Sequence, residues 1–417
     1  DYLTKPFNKV ALQTRLERLV KRKQVLAPVF KAIEQRNPEA VLQACQQIEA
    51  HEPRHAPLCL RHRANALEQL ARWSELAELL ERHARSRPTR WNLQALASLW
   101  LQQGRTEQVK SLLFAAVRQF PMMPELRDIQ SRLAARQNNL EESLKALQEA
   151  AELSPNSISR QVQLAHLAWL SGQNELATHA LRHCWDTGRH SPLFDPEILW
   201  QLASIVLQVS HVQKSPEDVL HWLKLADKNA SPALQQANYM LIIELERRKG
   251  KTSTRASSLS SELLAHSQHY SAVSLLQLGD WLRLSGQSAA SEVLWAVCAA
   301  RFAGNLGVLE QIQLRHPSLD TASLTQAVNL SREAAAMHRL EKSHEAATRF
   351  NQALELAPQL VELNIAAAQF YAEHISDNPT ARESLNECLQ PSGTVSKLEC
   401  SSAEFHRLHA TLEALPW

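Results

Sequence analysis

The stretch that decides the fold is HEAATRFNQALELAP, residues 344–358, in which Ala346, Phe350, Ala353 and Pro358 follow one another at spacings of 4, 3 and 5. Spacings of 3 and 4 place side chains on one face of an α-helix. A proline ends a helix because it disfavours helical geometry in the residue before it. The stretch therefore predicts a helix that presents small and large apolar residues to a neighbouring helix and ends before Pro358.

The same pattern recurs upstream, and from Val109 to Ser143 the interval is 34 residues. The upstream copies, with slips of one residue, are Ser143, Leu147, Ala150 and Pro155; Val109, Leu113, Ala116 and Pro121; Leu76, Leu80, His83 and Pro88; and Val41, Cys45, Ile48 and Pro53. A first helix and a short turn precede each copy, so each unit is a pair of helices. One pair cannot bury both of its faces, and stacking of successive pairs therefore supplies the core.

This spacing resembles the tetratricopeptide repeat (TPR), and a further copy matches the family pattern well. That copy consists of Leu275, Leu278, Gly279, Leu282, Gly286, Ser291, Trp295 and Cys298. The resemblance implies an all-α, right-handed superhelical solenoid of about ten helical hairpins. Residues 8–36 are expected to form one long leading helix, either straight or kinked at Pro28.

Composition agrees with a helical chain, because only 9 of the 417 residues are glycine. The 45 Lys and Arg residues nearly balance the 43 Asp and Glu residues, so the net charge of the chain favours no class of partner.

The longest apolar run, Val293 to Ala300, is too short to cross a bilayer. Six scattered cysteines without a CxxC pair, and no signal-peptide pattern, favour a reduced, cytoplasmic protein that does not enter a membrane.

Breaks in the period suggest how the chain is divided. Between residues 301 and 320 the repeat is lost, and GNLGVLEQIQLRHPSLD indicates a short extra helix with Gly and Pro punctuation. We expect the solenoid to occupy residues 23–300 and 321–417, with the break at 301–320 between these parts. The final stretch, SSAEFHRLHATLEALPW, is expected to form a capping helix.

The first seven residues, DYLTKPF, resemble the last strand of a response-regulator receiver domain, and residues 1–22 are expected to be a receiver remnant. The resemblance implies that Tyr2 is the switch aromatic, Lys5 the lysine that contacts the phosphoryl group, and Pro6 the cis proline. It also implies that the helix after them is the final receiver helix. The alternative is a tail with an accidental turn.

The leading helix is basic, with nine Lys or Arg against three Asp or Glu over residues 1–36. The run Lys21, Arg22 and Lys23 could meet phosphate, and nucleic-acid binding through this helix is the alternative function. A solvated helical face is the commoner reason for such a cluster.

First-helix positions that line the groove in TPR proteins carry a moderately basic set of side chains. The predicted partner-binding residues are Arg61, Asn65, Trp91, Gln94, Ser98, Arg132, Arg136, His166 and Trp169. Arg61 and Asn65, one turn apart, resemble part of the clamp that some TPR domains use for a terminal carboxylate, but the other clamp positions do not match. Trp91 and Trp169 are either peptide contacts or ordinary packing residues. The set favours an acidic or polar segment as the ligand.

No pattern for catalysis is present: we find no Gly-rich phosphate loop, HExxH or CxxC. His179 and His183 lie one turn apart, but a closed zinc site needs further ligands that the sequence does not supply. Cys184 occupies a repeat position where small residues pack, which favours a buried, inert thiol. We therefore expect no enzyme, metal or cofactor.

The predicted function is a protein-interaction scaffold that acts as the output module of a two-component response regulator under control of receiver phosphorylation. The expected partner is a protein or peptide. A histidine kinase, another response regulator and a second copy of the chain are the open alternatives, and nucleic acid is disfavoured.

Overall fold

A computed structural model describes residues 9–191, 194–209, 216–228, 230–251, 256–374 and 381–389. Within these ranges the regular secondary structure consists of helices, without a strand, so the predicted all-α class is confirmed. The α-helices are α1 (Lys9–Glu34), α2 (Pro38–His51), α3 (Ala56–Gln69), α4 (Trp73–Ser86), α5 (Arg90–Gln102), α6 (Thr106–Gln119), α7 (Pro124–Arg136), α8 (Leu140–Leu153), α9 (Ile158–Leu170), α10 (Asn174–Gly188), α11 (Glu197–Gln208), α12 (Pro216–Asp227), α13 (Pro232–Arg248), α14 (Ala256–Ala265), α15 (Ala272–Leu284), α16 (Ser288–Phe302), α17 (Leu306–Arg315), α18 (Thr321–Arg339), α19 (Ser343–Leu356), α20 (Val361–Glu373) and α21 (Ala381–Leu389). Two short 3-10 helices, Pro53–His55 and Ser267–His269, precede α3 and α15.

The described residues form two compact units. The first contains α1–α5 and ends at Gln103, and it also includes Arg339–Lys342. The second begins at Gly104 and contains the remaining described helices. A ten-residue helix, α17, lies in the stretch where the repeat period is lost.

A tight turn joins the paired helices α9 and α10. Gly172 adopts φ 75°, a left-handed conformation that glycine accepts without strain. The backbone N–H of Gln173 donates to the carbonyl of Ala168 at 2.8 Å, which satisfies a carbonyl at the helix end. The chain reverses within three residues, and α10 begins at Asn174.

Small residues allow the paired helices to approach closely. The alanines that the repeat pattern places at helix crossings are buried, and they are Ala97, Ala116, Ala165 and Ala353. At Gly279 on α15, a Cβ atom would collide with the indole ring of Trp295 on α16. Glycine at this repeat position therefore makes room for a fully buried tryptophan.

The core of the second unit is continuous from Leu144 on α8 to Cys388 on α21. Trp200, Trp281 and Trp295 are among its largest fully buried side chains. The indole N–H of Trp281 donates to Ser204 Oγ at 2.9 Å, so this polar atom is satisfied inside the core. Successive helix pairs therefore bury one another, as the repeat predicts.

The leading helix of the first unit, α1, runs through Pro28 and agrees with the prediction of one long helix. Its C-terminal half buries Leu26, Val29 and Ala32 and packs against α2. Its N-terminal half leaves large apolar side chains in solvent: Val10 is 71% exposed and Val20 is 54% exposed.

Two predictions fall outside the described residues. Tyr2, Lys5 and Pro6, the residues that carry the receiver resemblance, precede Lys9, where the description begins. The predicted capping helix, residues 401–417, follows Leu389, the last described residue. Both remain predictions.

Candidate functional site

The predicted groove residues of the first unit come together on α3 and α5. Arg61 and Asn65 are exposed one turn apart on α3, and Trp91, Gln94 and Ser98 follow on α5, each partly exposed. The Arg61 guanidinium carbon lies 5.4 Å from the ring centroid of Trp91, within the range of a cation–π contact. We call these five residues the Arg61 face.

The surroundings of the Arg61 face are basic and aromatic. His62 has a lowered pKa because burial disfavours its charged form, and the nearby guanidinium groups of Arg61 and Arg22 lower it further. The ring of Phe30 on α1 meets His62 edge to face, with centroids 5.8 Å apart. The region therefore carries the charge of two arginines next to an imidazole whose charged form is disfavoured, and the arginines favour a negatively charged ligand.

A second pair of predicted residues, Arg132 and Arg136, lies exposed on α7 of the second unit. Arg132 Nε donates to the carbonyl of Asp128 on its own helix at 3.4 Å. The Asp128 carboxylate is itself engaged by Arg160, through bonds of 2.9 and 2.7 Å. The Asp128–Arg160 pair joins α7 to α9, whereas Arg132 extends along the surface of α7.

His166 on α9 lies within a polar network. Its Nε2 is 2.9 Å from Oε1 of Gln201 on α11. Gln201 Nε2 donates to Ser274 Oγ on α15 at 3.1 Å, and Glu197 accepts from Ser271 Oγ at 2.8 Å. Burial lowers the pKa of His166, although Gln201, Glu197 and Asp195 favour the charged form. His166 therefore links α9, α11 and α15 rather than projecting freely towards a ligand.

Trp169, also predicted as a groove residue, is buried. Helix α17 packs against α9: Gln311 Nε2 donates to the carbonyl of Leu170 at 2.9 Å. The Arg315 guanidinium lies 5.4 Å from the Trp169 ring centroid. Val308 and Ile312 of α17 are fully buried. The sequence indicated this short helix but not its docking, because that docking depends on residues far apart in the chain.

The described residues contain no group of three or more His, Cys, Asp or Glu side chains placed to hold a metal ion. His183 is 3.0 Å from the carbonyl of Pro155, while His179 is exposed. Burial raises the pKa of the Cys184 thiol to about 12, so the reactive thiolate is disfavoured. In the same ranges, no helix has the length and apolar character needed to span a bilayer.

No protein-family model and no curated protein matches this chain. Among solved structures, it is similar to a chain of the APC/C hetero-tetramer Cut9–Hcn1, with 14% identity, 88% of this chain covered and a TM-score of 0.30. It spans 59% of that chain's length. A chain of Naa15/Naa10 bound to HypK-THB gives 12% identity, coverage of 90% and 70%, and a TM-score of 0.31.

A monomeric IFIT1 mutant with Gppp-AAAA gives 13% identity, coverage of 95% of this chain and 90% of that chain, and a TM-score of 0.35. At TM-scores this low, these similarities carry no argument about function. The assignment to helical pairs rests on the helices of the chain itself.

Proposed function

We propose that the chain is a non-enzymatic protein-interaction scaffold whose Arg61 face binds an Asp- and Glu-rich segment of a partner protein. The observation that carries the proposal is the exposed Arg61 guanidinium stacked 5.4 Å from the Trp91 ring. Arginine and tryptophan are enriched among the residues that dominate binding energy at protein interfaces. The stacking restricts the Arg61 side chain before a ligand arrives, which reduces the entropy lost on binding.

The residues of the Arg61 face offer complementary chemistry to such a segment. The planar guanidinium of Arg61 can donate two parallel hydrogen bonds to one carboxylate. Asn65, one turn away on α3, can donate to and accept from a peptide backbone. Gln94 and Ser98 on α5 add polar groups at the partly exposed edge.

Arg132 and Arg136 on α7 are a second candidate contact for carboxylates, since both are exposed. We assign no direct ligand contact to His166 or Trp169. The first is bonded to Gln201, and the second is covered by α17.

A peptide of alternating Glu and Leu residues, labelled with fluorescein, tests the proposal by fluorescence anisotropy. The control peptide carries Gln in place of Glu. We expect the acidic peptide to bind, and Arg61→Glu to weaken its affinity at least tenfold, because charge-assisted hydrogen bonds contribute about 1.5–3 kcal/mol each.

The matched control variant is Arg118→Glu. Arg118 is also exposed and lies 5.6 Å from an aromatic ring, that of Phe114, but on α6 in the second unit. The Arg118→Glu variant should bind the acidic peptide with the affinity of the unaltered chain. Equal loss of affinity in both variants would show a general charge effect and contradict a site at Arg61.

The same assay distinguishes the nucleic-acid alternative. A labelled single-stranded DNA replaces the peptide, and a variant with Lys21→Gln, Arg22→Gln and Lys23→Gln replaces Arg61→Glu. DNA binding with steep salt dependence that disappears in this variant would favour nucleic-acid output through α1. Absence of DNA binding would contradict the nucleic-acid alternative and leave the protein-binding proposal in place.

We also propose, more specifically, that the scaffold is the output region of a response regulator, with a histidine kinase or another response regulator as its signalling partner. The support is the DYLTKPF motif at residues 1–7 together with the exposed apolar side chains of α1, among them Val10 and Leu16. Such side chains suit a helix that packs against a further domain. Phosphorylation of that domain would then control access to the Arg61 face.

A protein that carries the proposed receiver domain ahead of this chain, with and without beryllofluoride as a phosphoryl mimic, tests this regulation. We expect the affinity for the acidic peptide to change on addition of beryllofluoride. An unchanged affinity would remove the switch and leave the scaffold function intact.

A further inference from the structure

A cavity of about 240 Å³ lies between α16, α18 and α20 of the second unit. Most of its walls are apolar, with Val328, Ala335 and Leu363 among the lining residues. Two charged side chains, Arg332 on α18 and Glu362 on α20, line the same cavity. Its volume is below the range of about 300–1,000 Å³ typical of sites for drug-sized ligands, so it suits a smaller molecule.

Gly304, just after α16, holds the two charged groups in place. Arg332 Nη2 donates to the carbonyl of Gly304, and the Gly304 N–H donates to the Glu362 carboxylate. A Cβ atom at position 304 would collide with Oε2 of Glu362, so only glycine permits this approach. The backbone of one residue, Gly304, therefore bridges a guanidinium and a carboxylate at the wall of the cavity.

Neither charge is fully compensated by the protein groups around it. A guanidinium has five N–H donors, and within the described residues the structure shows one hydrogen bond from Arg332. Burial lowers the pKa of Arg332 and raises that of Glu362, although each charge favours the other. Both groups would gain from an opposite charge placed inside the cavity.

Because Arg332 and Glu362 line the same cavity, a ligand that carries charge of only one sign does not suit it. A simple anion would be attracted by Arg332 but repelled by Glu362. A simple cation would be attracted by Glu362 but repelled by Arg332. A ligand with both charges and a short apolar group satisfies the guanidinium, the carboxylate and the apolar walls together. We propose that this cavity binds a small zwitterion, namely a free α-amino acid with a short aliphatic side chain, its carboxylate on Arg332 and its ammonium on Glu362.

Isothermal titration calorimetry of the whole chain tests the site with three probes. L-valine carries both charges, isovalerate carries only the carboxylate, and isobutylamine carries only the ammonium. We expect L-valine to bind about ten- to hundredfold more tightly than either single-charge probe, because each lacks one charge-assisted hydrogen-bonded group. No heat with L-valine at millimolar concentration, or equal affinity for isovalerate, would overturn the proposal.

Two variants locate the binding. Arg332→Gln should weaken L-valine binding at least tenfold. Its matched control, Arg349→Gln on α19, removes an arginine that pairs with Glu333 and does not line the cavity; it should bind normally. Ala366→Leu fills the cavity without changing charge, so it keeps the test valid if Arg332→Gln fails to fold. Binding that survives both Arg332→Gln and Ala366→Leu would place L-valine elsewhere and refute the site.

Discussion

Arg315 on α17 and Asp280 on α15 form a two-point ion pair, with Nε to Oδ1 at 2.8 Å and Nη2 to Oδ2 at 2.9 Å. The same guanidinium lies over the ring of Trp169 on α9. One side chain therefore connects three helices that are distant in sequence. Both partners of the pair are largely shielded, with side-chain exposures of 16% and 18%.

Asp280→Ala should lower the free energy of unfolding by about 2 kcal/mol, because it leaves a shielded guanidinium without its carboxylate. Urea unfolding followed by circular dichroism measures the change. The control is Glu333→Ala, which breaks the more exposed pair with Arg349, where the exposures are 54% and 40%. That variant should lose less than about 0.5 kcal/mol. Equal losses would mean that the Arg315 pair does not fix α17.

Gly279→Ala should destabilise the chain by about 1–3 kcal/mol, because the added methyl group overlaps the Trp295 ring. The sign is diagnostic, since Gly to Ala inside a helix ordinarily stabilises by about 0.5–1 kcal/mol. Thermal unfolding measures the effect. Repeating the substitution in a Trp295→Leu background should reduce its cost. A stabilising Gly279→Ala would contradict the packing described here.

His166 should make stability fall at mildly acidic pH. Its pKa in the folded chain is lowered by burial, so the unfolded chain takes up a proton first as pH falls through its ordinary value of 6.5. Stability is unaffected by this group above that value and is lost below it. Each unit of pKa shift contributes about 1.4 kcal/mol to this loss.

Urea midpoints at neutral and mildly acidic pH, compared between His166→Gln and the unaltered chain, measure this contribution. The variant can keep a hydrogen bond to Gln201 and should lose less stability on acidification. His179→Gln, at an exposed position on α10, should follow the unaltered chain. An identical pH dependence in His166→Gln would exclude His166 as the source.

Three thiols should resist alkylation in the folded protein. Cys45, Cys184 and Cys298 are fully buried, and burial raises the pKa of each to about 12. The thiolate, which is the form that reacts, is therefore suppressed at neutral and mildly alkaline pH. Iodoacetamide labelling with peptide mass spectrometry should modify these residues only after unfolding in urea. Rapid labelling of any of the three in the folded chain would contradict its burial.

Local spacing predicted the helices well because helical periodicity is a property of short segments. Ala346, Phe350 and Ala353 lie on one face of α19, and all three are buried. Gly279 matched the repeat pattern, and the structure shows its physical reason in the collision that a Cβ would make with Trp295. The long leading helix was also predictable, since its apolar spacing continues through Pro28.

Exposure of the candidate binding residues was only partly predictable. Arg61, Trp91 and Trp169 were all predicted to lie on the groove side of a first helix, yet the first two remain accessible while Trp169 is buried. The repeat assigns all three to the same side of a helix pair, and it cannot tell which part of that side is covered. The cavity at Arg332 and Glu362 gave no recognisable motif, because its residues come from three helices.

The amino-acid sequence by itself determined that this chain forms pairs of helices with buried alanines and glycines at their crossings, because side-chain periodicity and small residue size act over a few residues. Only the tertiary structure decided that α17 packs on α9, that His166 bonds to Gln201, and that Gly304 joins Arg332 to Glu362. These contacts join segments far apart in the chain. Their energies depend on how deeply the side chains are buried and how closely the helices approach one another, and the spacing of residues within one helix encodes neither.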